Sequence, residues 1–316
     1  MPDSNNVKIL ADLFIAYIFR FFNIYTLLWS ILQKSNVQKA ITILYLYNKK
    51  MAKKITLFLF LFTLPVFQLL FGNDSSYLRI MTYNIHHCNP PAQRGVIDID
   101  AIARVIAASG ADVVFLQEVD VNTARSGKGN QAEEIAKRVG LGYYKFYKAI
   151  DFSGGDYGGA ILSRFPLTEE RLHKLPVKEG EEQRIMGSAV INHPSFGKIK
   201  VASTHLDLDK NYRKLQVKYI IKFLGSQKIP VIMGGDFNAK PQSEEMKLVY
   251  KKFTSSELNH NPTFPNTIPT EHIDYLFLKN LSNRKFSMEF ICHRILKGFD
   301  ASDHLPVAAV VKFSKK

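Results

Sequence analysis

Val231-Ile-Met-Gly-Gly-Asp-Phe-Asn-Ala-Lys-Pro241 runs an apolar segment straight into a carboxylate and an amide. The pattern predicts a buried strand over 231–236 whose C-terminal end delivers Asp236 and Asn238 into a cleft. On extended backbone, residues two apart share a face, so Asp236 and Asn238 are expected side by side with Phe237 turned into the core. A carboxylate can take a proton from water and an amide can donate to a developing oxyanion, which suits hydrolysis of an anionic ester. Gly-Asp at a strand end is also an ordinary turn signal, so the motif gains weight only from what ends the other strands.

The chain has 316 residues, room for one large domain or two small ones. Residues 1–50 are rich in Ile, Leu, Asn, Tyr, Lys and Phe, and their apolar run over 9–32 is broken by Arg20 and Asn23. A second beginning follows. Met51-Ala-Lys-Lys54 is short and basic, 55–71 is apolar with Pro65 inside it, and Gly72-Asn-Asp-Ser-Ser76 is a small, polar exit. That order is the order of a secretory signal peptide, so 51–72 is expected to act as a signal peptide or N-terminal membrane segment. Translation is then expected to start at Met51, with 1–50 an upstream extension outside the fold and the folded domain over 73–316. Two membrane spans are the competing reading, weakened because the 17 residues 55–71 sit at the short limit for a span. The expected location is secreted, periplasmic or membrane-associated.

Residues 73–316 carry 34 Lys/Arg against 26 Asp/Glu, a net +8. Such a balance draws anions, whether nucleic acid, phosphoinositide or a phospholipid surface, without naming one. Cys88 and Cys292 are either one disulfide or two free thiols, and the spacing gives no distance between them.

Short β-rich runs alternate with helical ones and no repeat or low-complexity tract intervenes, which argues for a single α/β domain. Strands are expected over 77–84, 112–118, 143–147, 157–163, 185–191, 198–203, 272–278 and 307–311, besides 231–236. Helices are expected over 98–109, 131–139, 211–224 and 243–250. The third should bury Leu215, Tyr219, Ile220 and Phe223 and turn Lys214, Lys218 and Lys222 to water. Tyr143-Tyr-Lys-Phe-Tyr147 is either packing or a stacking platform for bases, with packing favoured.

Asn84, Glu118, His205, Asp236, Asn238, Asp274, Asp303 and His304 all fall at or beside strand ends. Any one of them alone reads as a loop residue; eight gathered at six strand ends do not. Glu118 follows a run of apolar positions, where a carboxylate is costly unless it is paired or binds a metal. Hard carboxylate oxygens without a cysteine or paired-histidine set favour Mg²⁺, or Mn²⁺, over Zn²⁺. Asp236 can then deprotonate water while His304, held by Asp274, stabilises the developing charge. The lack of a nucleophilic Ser or Cys motif argues against a covalent intermediate.

Thr82-Tyr-Asn84, Leu116-Gln-Glu118, Thr204-His205, Gly235-Asp-Phe-Asn238, Ile273-Asp274 and Ser302-Asp-His304 resemble, in order, the motifs of the endonuclease/exonuclease/phosphatase superfamily. That superfamily includes deoxyribonuclease I, apurinic endonucleases, inositol polyphosphate 5-phosphatases, neutral sphingomyelinases and deadenylases. The resemblance covers about residues 78–313 and implies a four-layer α-β-β-α sandwich, two β-sheets face to face with helices outside. It implies Glu118 as principal metal ligand with Asn84 and Asp303, and Asp236 with Asn238 activating water and holding the transition state. His304 is implied as a phosphate contact oriented by Asp274, His205 as a second one, and Arg184, Tyr157 and His86 as substrate-facing. Where apurinic endonucleases carry an acidic residue this chain has His86, which weakens an abasic-DNA reading.

The implied protein is a monomeric Mg²⁺-dependent phosphoesterase. A nuclease should flank the site with phosphate-spaced cations, for which Lys145, Lys148, Arg164 and Arg184 are the candidates. A lipid or inositol phosphoesterase should present apolar loops to a membrane surface, with the 259–270 loop and its Phe264 the candidate. A non-catalytic binding domain is a third reading, disfavoured because every motif residue is present.

Overall fold

The computed structural model describes residues 76–93, 95–257, 259–281 and 286–315. They fall in the compact unit Ser75–Lys316; the expected extension 1–50 and export segment 51–72 lie outside the described residues. In chain order the elements are β1 (Tyr77–Asn84), α1 (Ile99–Ser109), β2 (Val113–Val121), α2 (Gln131–Val139), β3 (Tyr143–Phe152), β4 (Gly155–Ser163), β5 (Leu167–Lys174) and β6 (Ile185–His193). There follow β7 (Gly197–His205), α3 (Lys210–Gly225), β8 (Val231–Asp236), α4 (Glu244–Tyr250), β9 (Thr254–Ser255), β10 (Asp274–Lys279), β11 (Phe286–Ile295) and β12 (Val307–Lys315).

The strands form two six-stranded sheets, ordered β11-β12-β1-β2-β4-β3 and β5-β6-β7-β8-β10-β9. Each sheet is mixed, with a central parallel pair, β1 with β2 in one and β7 with β8 in the other. Alternation along β1 explains the layering: Leu78 and Ile80 face the second sheet, where Val201, Ile232 and Leu276 meet them, whereas Met81 and Tyr83 face Ile102, Val105 and Ile135 of α1 and α2. Met233 and Phe277 on the far face of the second sheet pack against Val217, Ile220 and Leu224 of α3 and Met246 of α4. The result is a four-layer α-β-β-α sandwich, and strands buried on both faces account for the unbroken apolar runs of β2 and β8. Each helix carries an N-terminal cap: Asp98, Asn130, Asp209 and Ser243 accept from backbone N–H groups of the first turn.

Several elements depart from expectation. β5, β9 and β11 lie at sheet edges, and the apolar alternation that marks inner strands is weak in them. The buried face of α3 is Gln216, Val217, Ile220 and Leu224, while Leu215 and Tyr219 are exposed, so the expected face is rotated. In β3 only Tyr147 is fully buried; Tyr143 and Tyr144 face solvent on the edge strand. Cys88 sits in the core beneath α1 and Cys292 on β11, and both thiols are free.

Register places the site. His205 pairs with Asp236, which pairs in turn with Asp274 on the antiparallel β10, while Asn84 pairs with Gln117. Three strands, β1, β7 and β8, therefore end and β10 begins around one point at the same end of the sandwich, while β2, expected to end at Glu118, passes it and runs on to Val121.

Candidate active site

Asn84, almost wholly buried, ties the two sheets together: its Nδ2 donates to Glu118 Oε1 at 2.9 Å and to Asp236 Oδ2 at 3.1 Å, and lies 3.5 Å from His304 Nε2. Its Oδ1 accepts from the His86 backbone N–H at 3.1 Å, and its carbonyl accepts from Ser302 Oγ at 2.7 Å. Glu118 reaches this point because β2 bulges against β4 between Leu116 and Val119, with Glu118 at φ 57°, left-handed backbone that a non-glycine residue adopts at a cost. The bulge swings the carboxylate out of the strand alternation and into the cleft.

A chain of charge runs behind it. Asp274 Oδ2 lies 3.0 Å from His304 Nδ1 and accepts from Thr263 Oγ1 at 2.6 Å; His304 Nε2 lies 3.7 Å from Asp236 Oδ2. Asp236, Asp274 and His304 offer ligand atoms all within 4.8 Å of one another, and all three are buried. Burial alone would disfavour the imidazolium, but Asp274 and Asp236 outweigh it and push the His304 pKa up to about 10. The trio forms a charge relay, hydrogen-bonded at Asp274–His304 and closed by the 3.7 Å approach of His304 to Asp236. Burial, then the nearby Asp274 charge, push Asp236 up to about 7. His205, with Nε2 3.5 Å from Asp236 Oδ2, is driven the other way by burial, Arg184 and His304 and stays neutral.

Asn238 is not where extended backbone would put it. β8 ends at Asp236, and Asn238 turns off at φ 47° with its N–H on Asp236 Oδ1 at 2.9 Å and its Nδ2 on the Leu206 carbonyl at 3.0 Å. The two residues thus join through a local turn rather than a shared strand face, while Phe237 is buried as expected. Asp303, next to the Ser302 that binds Asn84, has Oδ1 4.0 Å from His86 Nδ1.

Arg184 and Tyr157 line a cleft of about 350 Å³ including its open mouth, together with Tyr147, Glu182 and His205. Arg184 pairs with Glu182 Oε1 at 3.1 Å. Arg125, clamped on Asp120 at 2.7 and 2.9 Å, holds its guanidinium 4.3 Å from the Phe152 ring centroid and 5.4 Å from that of Tyr157, buttressing the cleft wall. Thr263, Ser302, Glu182 and Arg125 carry no strand-end signal. Ser302 alone sits inside a recognisable motif, Ser302-Asp-His304.

Residues 81–304 match the Endonuclease/Exonuclease/phosphatase family. The chain belongs to that family. Endonuclease/Exonuclease/phosphatase proteins are phosphoesterase hydrolases, and this chain has their fold. YbhP of Escherichia coli K12, an uncharacterized protein, is 24% identical over 249 residues, covering 74% of this chain and 95% of YbhP. An endonuclease/exonuclease/phosphatase of Beutenbergia cavernae superposes with a TM-score of 0.67 at 22% identity, over 76% of this chain and 72% of that one. A mannosyl-6-phosphatase of Bacteroides thetaiotaomicron does so with a TM-score of 0.60 at 17% identity, over 75% and 99%. These identities speak to the fold; substrate is not read from them.

Proposed function

We propose that this family member is a divalent-metal-dependent phosphoesterase that cleaves its ester by direct attack of water on phosphorus. The observation that carries the reading is the junction at Asn84, where one amide nitrogen meets the carboxylates of Glu118 and Asp236 beside the His304 ring.

The donors fit a hard cation. Carboxylates brought this close repel unless a positive charge sits among them, and the strained backbone of Glu118 aims its oxygens there. Glu118 and Asp303 would hold Mg²⁺, or Mn²⁺, through carboxylate oxygens, with the Asn84 Nδ2 bracing Glu118 beside them and the buried Cys88 thiol confined to the core. When bound, the ion neutralises a phosphate oxygen. Asp236, with a carboxyl poised near neutrality, takes the proton of the attacking water. The new P–O bond forms as the ester P–O bond breaks, and the departing alkoxide is protonated from solvent at the cleft mouth. His304 donates to the phosphoryl oxygen that gains charge, and Asp274 with Thr263 keeps its ring in place. His205 flanks the same phosphate, with Arg184, Tyr157 and His86 facing the rest of the substrate.

Between the nuclease and the lipid or inositol phosphoesterase readings, the second has the better support. The four cations expected to track a nucleic-acid backbone are each engaged by acids: Lys145 with Glu170, Lys148 with Asp151 and Asp156, Arg164 with Asp112 and Arg184 with Glu182. The 259–270 loop packs on the site, with the Phe264 ring 4.7 Å from that of His304, and only its tip, Ile268, presents a large apolar side chain to solvent. A membrane surface would meet the protein there.

The test is hydrolysis with and without Mg²⁺, beside Asp236→Asn, against plasmid DNA, RNA, inositol phosphates and sphingomyelin or phosphoinositide vesicles. Metal-dependent turnover of an ester, lost in the variant, is expected; equal turnover by the variant would overturn the reading. Export through 51–72 is part of the same proposal, resting on the basic, apolar, polar order of that segment. N-terminal sequencing of the native protein should find no peptide from 1–50.

A further inference from the structure

The cleft beside His205 has a charge pattern that phosphate chemistry alone does not call for. It is lined by Tyr147, Tyr157, Gly159, Glu182, Arg184 and His205, and His205 is also the neighbour of Asp236, so cleft and reaction centre share a wall. An ester whose phosphorus lay over Asp236 would have this cleft within reach of its alcohol. A site built for a second phosphate would leave its arginine free. Here the Arg184 guanidinium, only 11% exposed, is matched by Glu182 at 3.1 Å.

We infer that this cleft receives the alcohol of the ester, and that Glu182 selects a neutral, polyhydroxylated alcohol over one that bears another phosphate. The inference rests on the phosphoesterase reading above. A carboxylate and a guanidinium side by side offer acceptors and donors at the spacing of neighbouring hydroxyls, whereas the carboxylate repels a flanking phosphate. Tyr147 and Tyr157 supply an apolar wall for the C–H face of a ring. That wall is fixed: a Cβ on Gly187 would meet the Tyr147 ring at 2.3 Å, so the ring lies directly on the β6 backbone, and Tyr147 Oη donates to the Ser188 carbonyl at 3.0 Å.

The experiment compares kcat/KM of the full chain with Mg²⁺ on fructose 6-phosphate and fructose 1,6-bisphosphate, which differ by one phosphate, with inositol 1-phosphate, phosphatidylinositol vesicles and p-nitrophenyl phosphate alongside. The monophosphate should be preferred, and Glu182→Gln should shrink that preference at least tenfold, the worth of a hydrogen bond to a charged group. Loss on hydroxylated esters should exceed loss on p-nitrophenyl phosphate by a similar factor. The vesicle arm separates a lipid-borne polyol from a free one. Preference for the bisphosphate, or an equal effect of Glu182→Gln on every ester, overturns the inference while leaving phosphoesterase activity standing. Metal-independent or absent turnover of p-nitrophenyl phosphate as well would instead remove the reading beneath it.

Discussion

At the scale of single residues, His304 is an imidazole whose protonation is decided by what surrounds it. Burial works against its charge and Asp274 and Asp236 work for it, with the carboxylates prevailing. Replacing Asp274 by Asn keeps the shape and removes one charge, so kcat should fall by about 10²–10⁴, the usual worth of a positioned acid. The alkaline limb of the pH–rate profile should also move to lower pH, because the imidazolium loses its proton sooner; an unmoved limb would show that Asp274 does not set this charge. Glu118 and Asp236 share the Asn84 amide yet are assigned different work. Glu118→Gln should weaken Mg²⁺ binding by titration calorimetry, and Asp236→Asn should abolish turnover with binding largely kept. Equal Mg²⁺ affinity in wild type and the Glu118 variant would refute that division.

At the scale of elements, the sandwich depends on strands close enough to interdigitate. A Cβ on Gly234 of β8 would meet Phe115 Cδ2 at 2.5 Å and Leu276 Cδ2 at 2.9 Å, side chains packed into the core between the sheets. Gly234→Ala should therefore cost about 1–3 kcal/mol by overpacking, seen as a lower denaturant midpoint at unchanged slope. On α3, Ile220→Ala should cost about 2–5 kcal/mol, and Leu215→Ala should stay within about 0.5 kcal/mol because Leu215 is exposed. That contrast is also where the sequence misleads. Gln216 is fully buried, accepting from the Asp207 N–H at 2.9 Å and donating to the Pro176 carbonyl at 2.8 Å, so a polar residue interrupts the true apolar stripe. β1, β8, α1 and α2 were legible because burial on both faces or paired caps leave a dense local signal. The edge strands β5 and β11 were not, since solvent on one side removes the need for regular alternation. Within the site, strand-end acids announce themselves, whereas Thr263, which meets Asp274 from an irregular loop, and Asn238, which leaves the strand through left-handed backbone, are fixed by contacts that no local pattern records.

At the scale of the whole molecule, histidine burial governs how stability varies with pH. Of the nine histidines, His87, His173, His193, His205, His272 and His293 all have pKa values lowered, in each case chiefly by burial, His87 to about 4. The unfolded chain binds protons at these positions near pH 6.5 and the folded chain does not. Their stabilising effect is thus complete above about pH 6.5 and lost as pH falls from there toward 4. The groups raised in the relay act with the opposite sign. His304 contributes fully below its unfolded value and loses that contribution as pH rises through about 10, and Asp236, raised to about 7, weakens the metal-free fold as it ionises. The metal-free protein should therefore be most stable near neutrality, with denaturant midpoints falling steeply below pH 6.5 and more gently on the alkaline side. In His173→Gln, which removes a titrating group held between Tyr219 Oη and Ser188 Oγ, the acid limb should be shallower. An acid limb of unchanged slope in that variant would mean that carboxylates, not buried imidazoles, carry the acid sensitivity.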